Sequence, residues 1–215
     1  MFEQQTYIEK DFSQQDLTHS VFNQCHFLRC NFSRTQLQDT QFIECVFIEQ
    51  GDEIGCDFSY AKLQDVQFIS CQLSLCSFVG ANCFGAKFNQ CDLKGADFFR
   101  TSFANQISYR NYFCSVEMTN CKLSYANFDN QCIEKCKLNN NRWIGANLQD
   151  ASLSGSDLSG GEFSLESWRQ FKLTGCDLID IDLDGLDLRR VDLTGVKINP
   201  WQQASLLNYL GVVVV

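Results

Sequence analysis

Residues 56–103 read CDFSY AKLQD VQFIS CQLSL CSFVG ANCFG AKFNQ CDLKG ADFFR TSF. Divided this way, every third letter is large and apolar except Cys83, and every first letter is Cys, Ala, Val or Thr. A period of five is neither the 3.6 of a helix nor the 2.0 of a strand. It marks an internal repeat, which decides the fold class before any local propensity is weighed.

The same spacing runs outward in both directions. Towards the N-terminus it holds at Phe12, Leu17, Phe22, Phe27, Phe32, Leu37, Phe42 and Phe47. Towards the C-terminus it resumes at Met118 and reaches Ile198. Of 35 such positions 29 are Leu or Phe, which rules out chance as the source of the period. Each unit turns one large and one small side chain inward and leaves three residues to water. If four units close a square coil, twenty residues make a turn. Successive coils then stack at the strand spacing of ~4.8 Å. The axis is filled by Leu and Phe, which leaves no room for a channel or an interior substrate.

The 215 residues suffice for one or two domains. A formal charge of −9 disfavours nonspecific contact with nucleic acid or anionic membrane and suits a partner with a basic groove. The N-terminal MFEQQTYIEKDFSQQD lacks the basic and apolar regions of a signal peptide, and no apolar run approaches a membrane span. The expected location is the cytoplasm, where the 13 cysteines would be reduced thiols. Ten of them hold the small inward position and Cys83 holds a large one, so they read as core packing rather than metal ligands. Cys114 and Cys132 fall elsewhere. Cys56 and Cys76, or Cys71 and Cys91, would stack one coil apart, a separation compatible with a disulfide.

The pattern breaks twice. Phe47 and Phe58 are 11 apart, so the phase slips by one, and Ile48 to Gly55 (IEQGDEIG) reads as an exposed loop. Between Phe103 and Met118 the phase survives but the pattern weakens, and Ala104 to Ser115 (ANQISYRNYFCS) reads as a longer loop. Loops on a rigid scaffold favour function. Tyr109, Arg110, Tyr112 and Phe113 are interface-anchor types that must pack back on the solenoid or meet a partner.

At the C-terminus Asn199 and Pro200 are a helix start, Trp201 to Leu210 is helical in pattern and Gly211 is a stop. Trp201, Ala204, Leu207 and Leu210 are expected on one side, and Val212 to Val215 is β-prone. An unpaired strand of valines is an aggregation hazard, so the expected cap is an isologous dimer built on Trp201, Leu207, Leu210, Val212 and Val214. The domain reading is a repeat solenoid over 1–198 and a dimerisation cap over 199–215.

The repeat resembles the pentapeptide-repeat family with its A(D/N)LXX motif, which implies an all-β, right-handed quadrilateral β-helix. The two interruptions, together with NQISYRNYFCS, KLSYANF, NRWIGANL, GSDLSGGEFS and the ending WQQASLLNYLGVVVV, look like the Qnr quinolone-resistance proteins. That resemblance implies a dimeric rod that binds DNA gyrase and topoisomerase IV and protects them from fluoroquinolones, with both loops contributing and the larger mattering most. By position the candidate contacts are Glu49, Gln50, Asp52 and Glu53 in the small loop. In the larger they are Gln106, Ser108, Tyr109, Arg110, Asn111, Tyr112 and Phe113.

Such proteins are described as DNA mimics. About nine coils make a rod of ~43 Å, a length over which B-DNA carries roughly 25 charges. A charge of −9 is about a third of that density. The stretch from Asp150 to Asp192 is richer, with ten acids against four bases, and Asp177, Asp180, Asp182, Asp184 and Asp187 are its candidate acidic surface. No cofactor, metal or catalytic group is implied. The rival readings are an immunity or gyrase-regulating repeat protein with another partner, and a structural spacer. An enzyme has no support in paired His and acid residues or a Gly-rich phosphate loop.

Overall fold

The computed structural model describes residues 1–108, 111–208 and 210–212. The chain winds as a β-helix whose coils pair in parallel. Val21–Asn23 lies on Gln41–Ile43 with Phe22 opposite Phe42, a register of twenty residues. Four pentapeptides therefore close one coil, as the resemblance to the pentapeptide-repeat family implies. The first turns belong to the same series, because Phe2 stacks on Phe22 and Tyr7 on Phe27, two units earlier than the run from Phe12.

Four of the five positions have separate physical jobs. The third residue fills the axis: Phe12, Phe32, Phe58, Phe78, Phe98 and Phe128 form one column with ring centroids 4.7–5.2 Å apart. Neighbouring columns meet edge to face, as in Phe22 against Phe27 at 5.4 Å and 80°. The coil spacing thus imposes stacked rings along the axis, while the favourable edge contacts form across it. The first residue is small but seldom inert. The Thr35 hydroxyl donates to the Phe12 carbonyl at 2.8 Å and the Cys45 thiol to the Phe22 carbonyl at 3.4 Å. Cys, Thr and Ser fit this place because they are small and carry a donor for a carbonyl facing the core.

The second residue explains the Asp and Asn of the motif. Asp57 Oδ1 accepts the Ser59 N–H at 2.8 Å, and Asp97 Oδ1 accepts the Phe99 N–H at 2.9 Å. These Asx contacts satisfy a backbone donor at the start of each turn. The fifth residue takes positive φ, whether it is Gly80 (+66°) or Tyr60 (+60°).

All 13 cysteines are free. Eleven are buried as the packing reading predicts, and burial pushes the Cys76 and Cys83 thiols up. Cys114 and Cys132 are half-buried.

The two interruptions are insertions of different length. Across the first the register grows to 26, with Gln41 opposite Gln67, so six residues are added. Across the second it grows to 30, with Ala86 opposite Val116, so ten are added. The larger segment does not replace two faces of a coil. It leaves after Phe103 and returns at Ser115, whose N–H donates to the Phe103 carbonyl at 2.9 Å.

Two regions depart from the sequence pattern. At residues 162–170 the series runs through Phe163 and Trp168, but the small inward place before Trp168 is Glu166, which is exposed. The chain forms a 3-10 turn over Ser167–Arg169 instead, burying Ser167 and directing the Trp168 indole N–H to the Asp184 carbonyl at 2.9 Å. The C-terminal segment is a 3-10 turn over Pro200–Gln202 followed by an α-helix over Gln203–Asn208. Asn199 N–H donates to Gln202 Oε1 at 2.6 Å, and Gly211 follows the helix with φ +76°. The buried residues are Gln202 and Leu206; Leu207 is only half-buried, Trp201 is 61% exposed and Leu210 48%.

Candidate protein-interaction surfaces

The axis is packed with Phe, Leu, Trp and Cys, so any binding must use the outside of the rod. Among the described residues no group of three or more His, Cys, Asp or Glu could hold a metal ion. Among them too, no helix is long and apolar enough to cross a membrane.

The larger insertion is an antiparallel hairpin rather than an irregular loop. Ala104–Ser108 pairs with Asn111–Cys114, bringing Gln106 opposite Tyr112 and Ser108 opposite Asn111. Pairing arises because the ten added residues leave and re-enter at one point, so their two halves run side by side. Tyr109 and Arg110 lie outside the described residues. Phe113 packs edge to face on Phe84 at 5.1 Å yet remains 47% exposed. The Tyr112 hydroxyl donates to Glu134 Oε2 at 3.3 Å, and the ring is 50% exposed. These two aromatics therefore do both of the things sequence reasoning offered as alternatives: one edge rests on the solenoid and the other faces out. Ile107, which composition did not single out, is 71% exposed on the opposite strand.

The small insertion is anchored by a residue from the preceding coil. Arg29 reaches Glu49 at 2.9 Å, Asp52 at 3.2 Å and Glu9 at 3.4 Å. The hydrogen bond to Glu49 and the charge of Asp52 push the guanidinium above its ordinary range. Two of the three acids expected to make electrostatic contacts are thus already matched within the chain. Glu53 is exposed, as is Gln50. Ile54 beside them is 75% exposed.

The acidic stretch near the C-terminus divides in the same way. Asp177 lies 3.7 Å from Lys197. Asp187 is not part of an acidic surface: it is 6% exposed and bound by Arg189 at 2.9 Å and Arg190 at 3.5 Å. The hydrogen bond from Arg189, with the Arg189 backbone N–H, holds its carboxyl down at about 2. The physical reason is local: Asp187 Oδ1 accepts the Arg189 N–H at 3.0 Å, and both of its oxygens accept from the Arg189 guanidinium, at 2.9 and 3.0 Å. Asp180, Asp182 and Asp184 remain exposed. Asp180 accepts from the Asn199 side chain, and Asp182 from the Asp184 N–H at 3.0 Å.

At the C-terminus Trp201 and Leu210 are exposed, Val212 is 46% exposed, and Leu207 is half-buried. Val214 lies outside the described residues. The residues expected to form one apolar side point largely away from the solenoid, because Gln202 and Leu206 take the inward side. Gln202 does so through hydrogen bonds to the Leu178 and Ile181 carbonyls at 2.8 and 2.7 Å.

Comparison with known proteins places this architecture. A family model described as a pentapeptide repeat region matches residues 15–98, and the pentapeptide repeats model matches 132–164 and 169–199. The hairpin lies in the unmatched stretch between them. A pentapeptide repeat protein of Vibrio parahaemolyticus is 48% identical over 142 residues, 66% of each chain. QnrB4 of Escherichia coli is 46% identical over 108 residues, 50% of each chain. The chain thus spans between half and two-thirds of these curated relatives. The solved structure of full-length QnrB1, a plasmid-mediated fluoroquinolone resistance protein, superposes with a TM-score of 0.91 at 41% identity, covering 98% of this chain and 99% of that one. A trypsin-treated QnrB1 variant gives 0.92 at 40% identity, covering 100% and 99%. A likeness of this extent fixes the coil as right-handed, and the chain belongs to the Qnr family of pentapeptide-repeat proteins.

Proposed function

We propose that this protein binds the bacterial type II topoisomerases, DNA gyrase and topoisomerase IV, and protects them from fluoroquinolones as a binding protein rather than a catalyst. The observation that carries this reading is its likeness over the whole chain to a fluoroquinolone resistance protein. The filled axis supports it, since every exposed feature available for recognition is on the rod's exterior.

The hairpin supplies specificity. Ile107, Tyr112 and Phe113 present apolar surface on a short, paired element that also carries Gln106, Ser108 and Asn111, and the residue types of Tyr109 and Arg110 make them further candidate contacts. Preorganised aromatic contacts lose little conformational entropy on binding. Glu53, Asp180, Asp182 and Asp184 supply the uncompensated negative charge that meets a basic DNA-binding groove, which affects association rate more than final affinity. The rod does not bind nucleic acid directly. Residues 199–215 form a dimerisation cap through Trp201, Leu207, Leu210, Val212 and Val214, placing two acidic stretches near the middle of a longer rod.

The test is a gyrase supercoiling assay with ciprofloxacin. Intact protein restores supercoiling, and a variant lacking residues 104–113 does not. Failure of the intact protein to protect would remove this function and leave the fold.

A further inference from the structure

Eleven cysteines are sealed in the core, and the two that are not meet each other. Cys114 ends the return strand of the hairpin, opposite Ala104. Cys132 lies 18 residues on, in the coil beside it. Their sulfurs are 3.8 Å apart, and the Cys114 thiol also faces the Cys132 carbonyl at 3.4 Å. The Tyr112 hydroxyl lies 3.5 Å from Cys132 Sγ and donates to Glu134, whose other oxygen accepts from Ser152 at 2.6 Å. Tyr112, Phe113, Cys114, Glu134 and Lys135 line an open surface pocket at this place.

We propose that Cys114 and Cys132 are an oxidation site: a hydroperoxide converts them to an intramolecular disulfide that pins the base of the hairpin to the solenoid. A disulfide needs its sulfurs ~2.05 Å apart, so the pair must close by less than 2 Å, a distance within reach of side-chain rotation. The assignment rests on contact and access together. The stacked core cysteines have contact but no access.

The two thiols are electronically unequal. The hydrogen bond from Cys114 holds Cys132 down at about 7, while the same contact pushes Cys114 up. Cys132 is therefore the thiolate that reacts first. Its sulfur attacks one peroxide oxygen, the O–O bond breaks, and with hydrogen peroxide the departing hydroxide leaves as water after protonation. This gives a sulfenic acid at Cys132. Cys114 sulfur then attacks Cys132 sulfur, the S–S bond forms, the S–O bond breaks and a second water departs. Two thiols lose two electrons and two protons, and one peroxide becomes two waters. The inference does not depend on the topoisomerase reading.

The test uses the full-length protein, freed of reductant and exposed to hydrogen peroxide, then alkylated under denaturing conditions. The alkylated thiol count should fall from 13 to 11. A non-reducing tryptic map should join residues 111–122 to residues 123–135. Because the first peptide also contains Cys121, fragmentation must place the bond at Cys114. Cys114→Ser should stop the reaction at a dimedone-reactive Cys132, and Cys132→Ser should yield no intramolecular disulfide. An unchanged count at a dose that oxidises glutathione would overturn the assignment. So would a bond within the core cysteine columns, or a bond between two molecules.

Discussion

Tyr60 lies across Gly80 of the next coil, so close that a methyl group on the glycine would meet the tyrosine ring at 2.6 Å. Tyr125 covers Gly145 in the same way. Both glycines have positive φ, so each meets a backbone demand and a packing demand at once.

Gly80→Ala should therefore cost ~1–2 kcal/mol from the left-handed backbone and the displaced ring, or about 2–8 °C in melting temperature. Gly175→Ala separates the two causes, because at φ +73° its added methyl meets nothing closer than 3.7 Å and only the backbone part, ~1 kcal/mol, remains. Combining Tyr60→Ala with Gly80→Ala should cost less than the sum of the single changes, as a thermal-melt double-mutant cycle would reveal.

Removing residues 104–113 should leave the solenoid intact. The deletion joins Phe103 to Cys114 and restores a register of twenty residues across that coil. Shortening a loop changes closure entropy by well under ~1 kcal/mol, so the melting temperature should move by less than about 2–4 °C. Deleting residues 49–54 should behave alike, although it also releases Arg29 from Glu49 and Asp52. Circular dichroism melts of both variants are the check, and they make any loss of protection attributable to the missing surface.

Within the small loop the acids should not be equivalent. Glu53→Gln should weaken topoisomerase binding at low salt, and the effect should fade as salt rises. Glu49→Gln should change binding less, because Arg29 already offsets that charge at 2.9 Å. The same comparison applies to Asp182→Asn against Asp187→Asn. Equal effects from the members of either pair would contradict the assignment of free and matched acids.

Asp187 should also shape acid stability. Its folded carboxyl is held at about 2, below the ordinary unfolded carboxylate value near 3.9. The contribution is therefore fully present above about pH 4 and is lost as the pH falls towards 2. Asp187→Asn should lower the melting temperature at pH 7 and flatten its dependence on pH between 4 and 2, measured by calorimetry.

The coil, its axis and the places of the cysteines are legible in the sequence because each pentapeptide repeats the same physical instruction. The six-residue insertion is legible as a slip of phase. The ten-residue insertion hides its length, since ten is a whole number of units and the count resumes unchanged at Met118; only Ser108 and the lack of a small partner for Phe113 betray it. Glu166 at an inward position was a readable warning of the corner that forms around Trp168. The burial of Asp187 had no such signal, because it holds the ordinary second place of the repeat and its carboxylate is bound by Arg189 and Arg190. The C-terminal segment keeps Trp201 and Leu210, which the sequence pattern groups on one side, exposed and available to a partner. The inward side belongs to Gln202 and Leu206, four residues apart, because the Gln202 side chain donates to the Leu178 and Ile181 carbonyls.

The two insertions also give the surface a coordinate system. A residue's place on the rod follows from its number alone, once six is subtracted beyond the first insertion and sixteen beyond the second. The remainder on division by twenty is then a longitude and the quotient a latitude. Lys87, Glu117, Lys137, Asp157, Asp177 and Lys197 share one meridian, as their successive pairings require. Lys87–Glu117 and Asp177–Lys197 are ion pairs along that line. A mutational scan of this protein can be unrolled onto a flat chart, where a footprint left by a partner would appear as a contiguous patch although its residues lie twenty, twenty-six or thirty apart in the chain.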